Sequence, residues 1–315
     1  MKAVISILFL ACCCSAHSQM LQSDTLKLVA NWEQGETYHY TFEKYYAKKS
    51  ERDSQEHTTS GFLKFEILEK TNKNYVIKIT LDSIFPKDIG DYISPISLIK
   101  DHVHNQISYV IETNLIGGAI KLKNLEEIKK ESFNQFLKLV SLNKLSDEEI
   151  SDLNQELKLI AESDMSMTFQ FTEDFIGLFG NYGYQFNVND TLKYDQKIPS
   201  TTGGSSSEII GKIYFDISQK NKTNTITLYD ESVHNKTMQK AAIIEYSEMQ
   251  APEDEDTDLL KKMDITTNDI SIEVINLQNG SINYAVLERS IKAKVLNSET
   301  LGMQKRTWKL VSVEN

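Results

Sequence analysis

Few residues of this chain are spaced for chemistry. His102-Val103-His104 would set two imidazoles on one side of an extended segment, a spacing that metal sites use. No third ligand is identifiable, so the pair reads as an exposed polar loop. Asp254, Asp256 and Asp258 alternate like the opening of a calcium loop. Leu259 stands where that loop needs glycine, however, and Ile265 where it needs a bidentate glutamate, so a solvated acidic loop is expected. Gly203-Gly204, flanked by Thr and Ser, lacks the lysine and following helix of a phosphate cradle and reads as a linker. Serine nucleophile elbows, HExxH pairs and dinucleotide fingerprints do not occur in the sequence. The 45 acidic residues leave carboxylate pairs open, but spacing does not show which converge. The expectation is a protein that is not an enzyme, with no catalytic residue, metal or cofactor.

The cysteines point to a compartment instead. Cys12, Cys13 and Cys14 are all three of the chain, and they lie in a stretch ordered like a secretion signal. Lys2 is a basic start, Ala3 to Leu10 is apolar except for Ser6, and Ala16-His17-Ser18 has the small-x-small pattern of a cleavage site. Cleavage would leave Gln19 first. A second reading stays open: Leu10-Ala11-Cys12 could be a lipidation site, with Phe9 where a lipobox prefers Leu. Ala3 to Cys14 falls short of the roughly 20 apolar residues that span a bilayer, so no transmembrane span is expected. Loss of residues 1–18 reduces 315 residues to 297 and, through Lys2, 34 basic residues to 33 against 45 acidic, a net charge of −12. That balance repels nucleic acid and anionic lipid surfaces. A cysteine-free mature chain must be stable through its core, without disulfides or thiolate metal sites.

The apolar pattern has to supply that core. Trp32, Tyr38, Tyr40 and Phe42 share the even positions while His39, Thr41 and Glu43 alternate with them, which predicts a half-buried strand. Leu63, Phe65 and Ile67 repeat the alternation, as do Tyr75, Ile77, Ile79 and Leu81 beyond the 71–74 loop. A less regular stretch runs through Pro86 and Pro95. Ile107 to Glu112 and Ala119 to Leu122 flank Gly117-Gly118 as a hairpin. Asn124 is the expected N-cap of a helix with Leu125, Ile128, Phe133, Phe136, Leu137 and Val140 on one stripe. Ser146-Asp147-Glu148-Glu149 is a capping box ahead of Ile150, Leu153, Leu157 and Ile160, so two antiparallel helices are expected to pair. Thr172 could cap a short helix through Phe179. Strands resume at Thr191 to Ile198, Ile209 to Ile217 and Thr225 to Tyr229. Asp230 could then cap a helix through Met249, although Ile243-Ile244 also suits a strand. A meander ends the chain: Ile270 to Ile275, a turn at Gln278-Asn279-Gly280, Ile282 to Val295 and Met303 to Val313.

Strand runs separated by segregated helices indicate an α+β fold with an antiparallel sheet. About eleven strands are too many for one flat sheet, so a large curved sheet or two packed sheets are expected, covered by the helical hairpin and further short helices. The expected organisation is a signal at 1–18, strands at 19–122, a helical insertion at 123–183, and strands with one helix at 184–315 packed with the first strands as one domain. Phe62 and Leu68 stand opposite Leu63, Phe65 and Ile67, which makes both faces apolar and calls for cover on each. A core under helices answers that need. So does an apolar site in the manner of periplasmic lipoprotein carriers and lipid-binding half-barrels, lined by Trp32, Tyr38, Tyr40, Phe42, Leu63, Phe65 and Ile67. The expected partner is then a hydrophobic small molecule or lipid. The competing class is an interaction module for an envelope protein or glycan.

Asp24-Thr25-Leu26, Asp82-Ser83-Ile84 and Asp190-Thr191-Leu192 match the Asp-Ser/Thr-apolar pattern of periplasmic O-glycosylation in the Bacteroidota. With the Ser-Gln signal end, the Trp32-x-x-Gly35-Glu36-x-Tyr38 opening and the late Asn279-Gly280 turn before a long strand, the chain resembles uncharacterised exported β-rich proteins of that phylum. The resemblance implies a periplasmic, secreted or otherwise envelope location and supplies no activity. The intact mass of protein from its native host should show Gln19, free or cyclised, as first residue. An acylated Cys12, Cys13 or Cys14 would place the chain on a membrane instead.

Overall fold

The computed structural model describes residues 21–51, 53–84, 95–141, 146–198, 207–250, 259–296 and 298–314. The signal, the lipidation alternative, the Gly203-Gly204 linker and the Asp254–Asp258 loop lie outside the described residues.

Eleven strands form one open antiparallel sheet. From one edge it runs β7 (Ala119–Leu122), β6 (Tyr109–Asn114), β5 (Asn74–Ile84), β4 (Ser54–Lys70), β3 (Thr37–Lys49), β14 (Ser298–Glu314), β13 (Ile282–Val295), β12 (Asp264–Asn276), β11 (Thr225–His234), β10 (Ser207–Asp216) and β9 (Leu192–Ile198). The β3–β14 pair joins the first and last long strands, so two meanders become one sheet. β1 (Leu21–Gln22), β2 (Thr25–Lys27) and β8 (Gln185–Asn187) form a separate three-stranded sheet. The fold is thus α+β and mostly antiparallel, with its eleven main strands undivided.

Register shows where the covers sit. Leu228, Glu273, Ala285, Trp308 and Phe42 are successive cross-strand partners and therefore share one face. Phe42, Ala285 and Trp308 belong to a core shared with the helices. Leu228 belongs to a second core, in which Leu26, Leu28, Phe186 and Val188 meet Ile213, Ile226 and Ile275. Helices and small sheet therefore lie side by side over one face, and Glu273 falls at their seam. Among the described residues the other face is the more exposed, although Val76 and Val286 on it are buried. Phe62, on that face, is 59% exposed, so the cover expected on both sides is absent from this strand.

The helices correct several expectations. The stretch reaching Pro95 is irregular by its prolines, yet Pro95–Gln106 is a helix, α1. Proline is favoured at a first helical position, where no N–H is needed. Ile99, Lys100, Val103 and His104 fall on its buried face at helical spacing. His102 and His104, two residues apart on a helix, do not share a side as they would on a strand. α2 (Leu125–Ser141) and α3 (Asp147–Glu162) form where predicted, with 142–145 outside the described residues. The buried stripe of α2 is Ile128, Ser132, Gln135, Phe136 and Leu139. Phe133 and Leu137, one position on from Ser132 and Phe136, turn about 100° away from them and are exposed. The Ser132 hydroxyl donates to the Ile128 carbonyl, which lets a polar residue occupy the inner stripe. Asn124 precedes α2, but its carboxamide accepts from Val110 N–H and donates to the Ser108 carbonyl, tying the helix to β6.

Thr172 does not start a helix. It ends α4 (Asp164–Thr172), donating its hydroxyl to the Thr168 carbonyl, and a 3-10 turn follows at Ile176–Phe179. Asp230 is likewise no cap, since β11 runs through it to His234. After the short α5 (Lys220–Thr223), the helix expected nearby is α6 (Lys236–Gln250), capped by Asn235, whose side-chain oxygen accepts from the N–H groups of Thr237 and Met238. Leu153 is 1% exposed, so Leu153→Ala should cost about 2–5 kcal/mol in urea unfolding. Phe133→Ala, on the exposed side of α2, should change stability by less than about 0.5 kcal/mol.

Candidate functional site

The seven residues expected to line a ligand site are all buried in the helix-covered core. The Phe65 ring stacks on Tyr38 at 4.7 Å and on Tyr40 at 5.4 Å, and lies 6.0 Å from Trp32. Phe42 meets Trp308 at 6.1 Å. Leu63 and Ile67 are buried beside them. The structure brings all seven together as mutual packing partners.

Beside that core lies an ionic cluster of which the sequence pattern singled out only His104. Asp174, in the turn after α4, is enclosed by side chains from α1 and two strands. Arg306 Nε on β14 donates to its Oδ1 at 2.9 Å, while Lys100 Nζ on α1 and Lys44 Nζ on β3 stand 3.2 and 3.4 Å from its Oδ2. Its backbone carbonyl accepts from Trp308 Nε1 at 2.9 Å. Glu173 pairs with Lys100 and, at 2.8 Å, with Arg306. Burial alone would raise the Asp174 carboxyl, but Lys100, Lys44 and Arg306 hold it well below the usual carboxylate range. Glu173 is lowered against burial by Lys100 and Arg306. Burial lowers the Lys44 ammonium despite Asp174, and it raises Asp101 despite Lys44.

His104 lies inside this cluster, not in an exposed loop. Its Nε2 is 3.4 Å from Asp174 Oδ2 and its Nδ1 is 2.7 Å from the Tyr109 hydroxyl. Burial lowers the imidazole and raises the phenol; a neutral ring that accepts from Tyr109 at Nδ1 would carry its proton on Nε2, which faces Asp174 without making a hydrogen bond to it. Asp101, His104 and Asp174 bring their ligand atoms within 4.8 Å of one another. A divalent cation there would meet Lys44, Lys100 and Arg306, whose charges already answer Asp174. The donor set fits an ion-pair network better than a metal centre. The Tyr109–His104–Asp174 trio has the order of a proton relay, but its members are fully enclosed. A second cluster lies farther along the same face: Asp269 takes two bonds from Arg289 at 2.7 and 2.8 Å and one from His234 at 3.0 Å. Burial opposes its ionisation, yet Arg289 and His234 bring Asp269 down to about 2.

Three hollows are lined by other residues. One, of about 430 Å³, lies between the β6–β7 turn and the segment from the 3-10 turn to Tyr184. Its walls are Ile116, Ala119, Ile176, Phe179, Tyr182 and Tyr184, with Asn114 and glycines completing it and no charged side chain. Phe179 connects it to the core, 6.0 Å from Trp32 and 5.9 Å from Phe65. Gly183 has φ +97, and a β-carbon there would stand 2.6 Å from Ile116, so this wall requires glycine. The second hollow, about 10 Å³, sits at the seam beneath Tyr182, beside Asn181, Glu273, Leu28, Ile275, Gly280 and Ile282. The third, about 540 Å³, is on the more exposed sheet face around Ile210, Val233 and Ile270.

No family model and no curated protein matches the chain. Among solved structures it is similar to Ail, the attachment invasion locus protein of Yersinia pestis, at 7% identity over 88% of this chain and 99% of that one, with a TM-score of 0.14. It is also similar to OpdQ of Pseudomonas aeruginosa, at 10% identity over 89% and 69%, with a TM-score of 0.17. At such scores neither likeness carries an argument about this chain. No described helix is long and apolar enough to cross a membrane.

Arg306→Met would leave Asp174 and Glu173 without their guanidinium partner and should cost about 3–5 kcal/mol in urea unfolding at pH 7. Because the folded carboxylates are depressed, their contribution is present above the ordinary carboxylate range and is lost as pH falls through it. The gap between wild type and variant should therefore narrow on acidification below about pH 4.

Proposed function

We propose that this chain is an exported, non-enzymatic protein of the cell envelope that holds an uncharged apolar group, an acyl chain or an aromatic ring, in the 430 Å³ groove beside Phe179. The groove carries the reading: an open hollow walled by aliphatic and aromatic side chains, with the Asn114 amide and glycine backbone between them and no charged side chain, suits an uncharged group with apolar surface. Its depth is bounded by the packed aromatic core, so the ligand lies one layer outside Trp32 and Phe65, against Phe179. The sequence order of Lys2, an apolar run and Ala16-His17-Ser18 supports export. Enclosure of the Tyr109–His104–Asp174 trio supports a role without catalysis.

The hollow on the more exposed face favours a second reading as an interaction module. Ile210 and Val233 are direct cross-strand partners there, 59% and 46% exposed, with Lys193, Lys212 and Glu231 around them. Large apolar residues left bare on one side of a sheet suit a protein or glycan partner.

Gly180 separates the two readings. It has helical φ −65 and ψ −32, and a β-carbon there meets only the Gly177 carbonyl, at 3.6 Å, so a side chain can enter the groove without backbone strain. Gly180→Leu should weaken binding of a fluorescent fatty acid at least tenfold with the melting temperature unchanged, while Ile210→Lys leaves it intact. Equal binding by Gly180→Leu and wild type would remove the groove. Loss of a crosslinked envelope protein in Ile210→Lys alone would favour the module.

A further inference from the structure

Glu273 lies at the seam between the two covers, 3% exposed. Its Oε1 accepts from the Asn181 side-chain amide at 2.7 Å, and its Oε2 has no hydrogen-bond partner. The adjoining 10 Å³ is about the space of one water, and Tyr182 lines both that space and the groove. The segment 181–184 is held by Asn181 to Glu273, the Tyr182 hydroxyl donating to the Gly280 carbonyl at 2.7 Å, the Tyr182 ring edge-on to Trp32 at 5.2 Å, Gly183 N–H to the Leu28 carbonyl, and Leu28 N–H to the Tyr184 carbonyl. One anchor of the groove floor is therefore a buried acid with an unsatisfied oxygen.

We infer that Glu273 is a proton-operated latch on the groove floor, closed when the carboxyl is neutral and loosened when it ionises. The inference rests on the groove reading and names its regulation. A neutral carboxyl suits the seam, where Leu28, Ile275 and Ile282 surround it. A carboxylate needs more donors than the single one Asn181 gives Oε1, none reaches Oε2, and the space admits about one water molecule. Solvation then requires the Asn181–Tyr182 segment to lift away. The titratable groups facing Glu273 do not neutralise it. Tyr182, from the segment above, has its hydroxyl committed to Gly280, and Asp230, on neighbouring β11, adds repulsion. Burial, opposed by the Asn181 bond, brings the carboxyl up to about 7. The sign follows: the folded state holds this proton more tightly than the unfolded state, so the contribution is full below the ordinary glutamate value and lost as pH rises to about 7.

Two readouts on the full mature chain test this. Amide exchange of residues 180–184, corrected for the intrinsic pH dependence, should speed up at least tenfold between pH 6 and pH 8.5 in wild type and stay flat in Glu273→Gln. Asn181→Ala, which removes the bond that favours the ionised form, should move the wild-type midpoint upward. Flat exchange in wild type, a Gln variant that follows wild type, or an unmoved Asn181→Ala midpoint would each overturn the latch. Fatty-acid affinity should fall at least fivefold over the same range in wild type and remain constant in Glu273→Gln. Constant wild-type affinity would overturn the coupling to the groove. Absence of binding at every pH, with pH-dependent exchange intact, would sink the groove reading and leave the latch standing.

Discussion

Burying the Asp174 carboxylate is the most demanding step of this fold, and the placement of the helical cover depends on how it is answered. An unpaired carboxylate in that position would neutralise or pull solvent inward. Three cations prevent this, and they come from three places: Lys44 from β3, Lys100 from α1 and Arg306 from β14. Hydrophobic burial would let α1 and α4 slide over a surface of Leu, Ile and Phe side chains at modest cost, because apolar contact is not directional. The ion cluster is directional. It can be satisfied only when α1, the turn at Asp174 and the β3–β14 pair are in register, so its contribution is specificity of docking as much as net stability.

The groove inherits that register. The 3-10 turn begins two residues after Asp174, whose carbonyl holds the Trp308 indole N–H. Phe179, at the far end of the turn, is thereby set against Trp32 and Phe65 on one side and the groove on the other. Gly180 and Gly183 then carry the chain to β8 and into the small sheet, with Asn181 reaching Glu273 between them. One short segment thus joins the ion cluster, the groove wall, the seam and the second cover.

Most of the sheet was legible in the sequence because its strands alternate cleanly: Ile282–Val295 and Ala119–Leu122 coincide with their predicted limits. The cluster was not, for two reasons. Its contacts join residues far apart in sequence, 132 positions for Asp174 and Arg306, and spacing says nothing about such a contact. Its basic side chains also sit on apolar parity. Lys44 continues the inward series of Tyr38, Tyr40 and Phe42, Arg306 shares the face of Trp308, and Lys100 and His104 occupy the stripe of Ile99 and Val103. A charge on the buried parity of an otherwise regular element was the available signal. Pro95 masked the helix that would have revealed half of it.

Equilibrium unfolding of Asp174→Asn, followed by two probes at pH 7, tests the central claim most directly. Tryptophan fluorescence, from Trp308 and from Trp32 in the same core, reports the joint between cover and sheet, and amide exchange of β12 and β13 reports the sheet beyond it. If the buried carboxylate aligns the cover, the two transitions coincide in wild type, and in the variant the fluorescence transition moves to lower urea ahead of strand exchange. Coincident transitions in the variant, with a stability change below about 0.5 kcal/mol, would show that apolar packing alone positions the helices and would contradict the account.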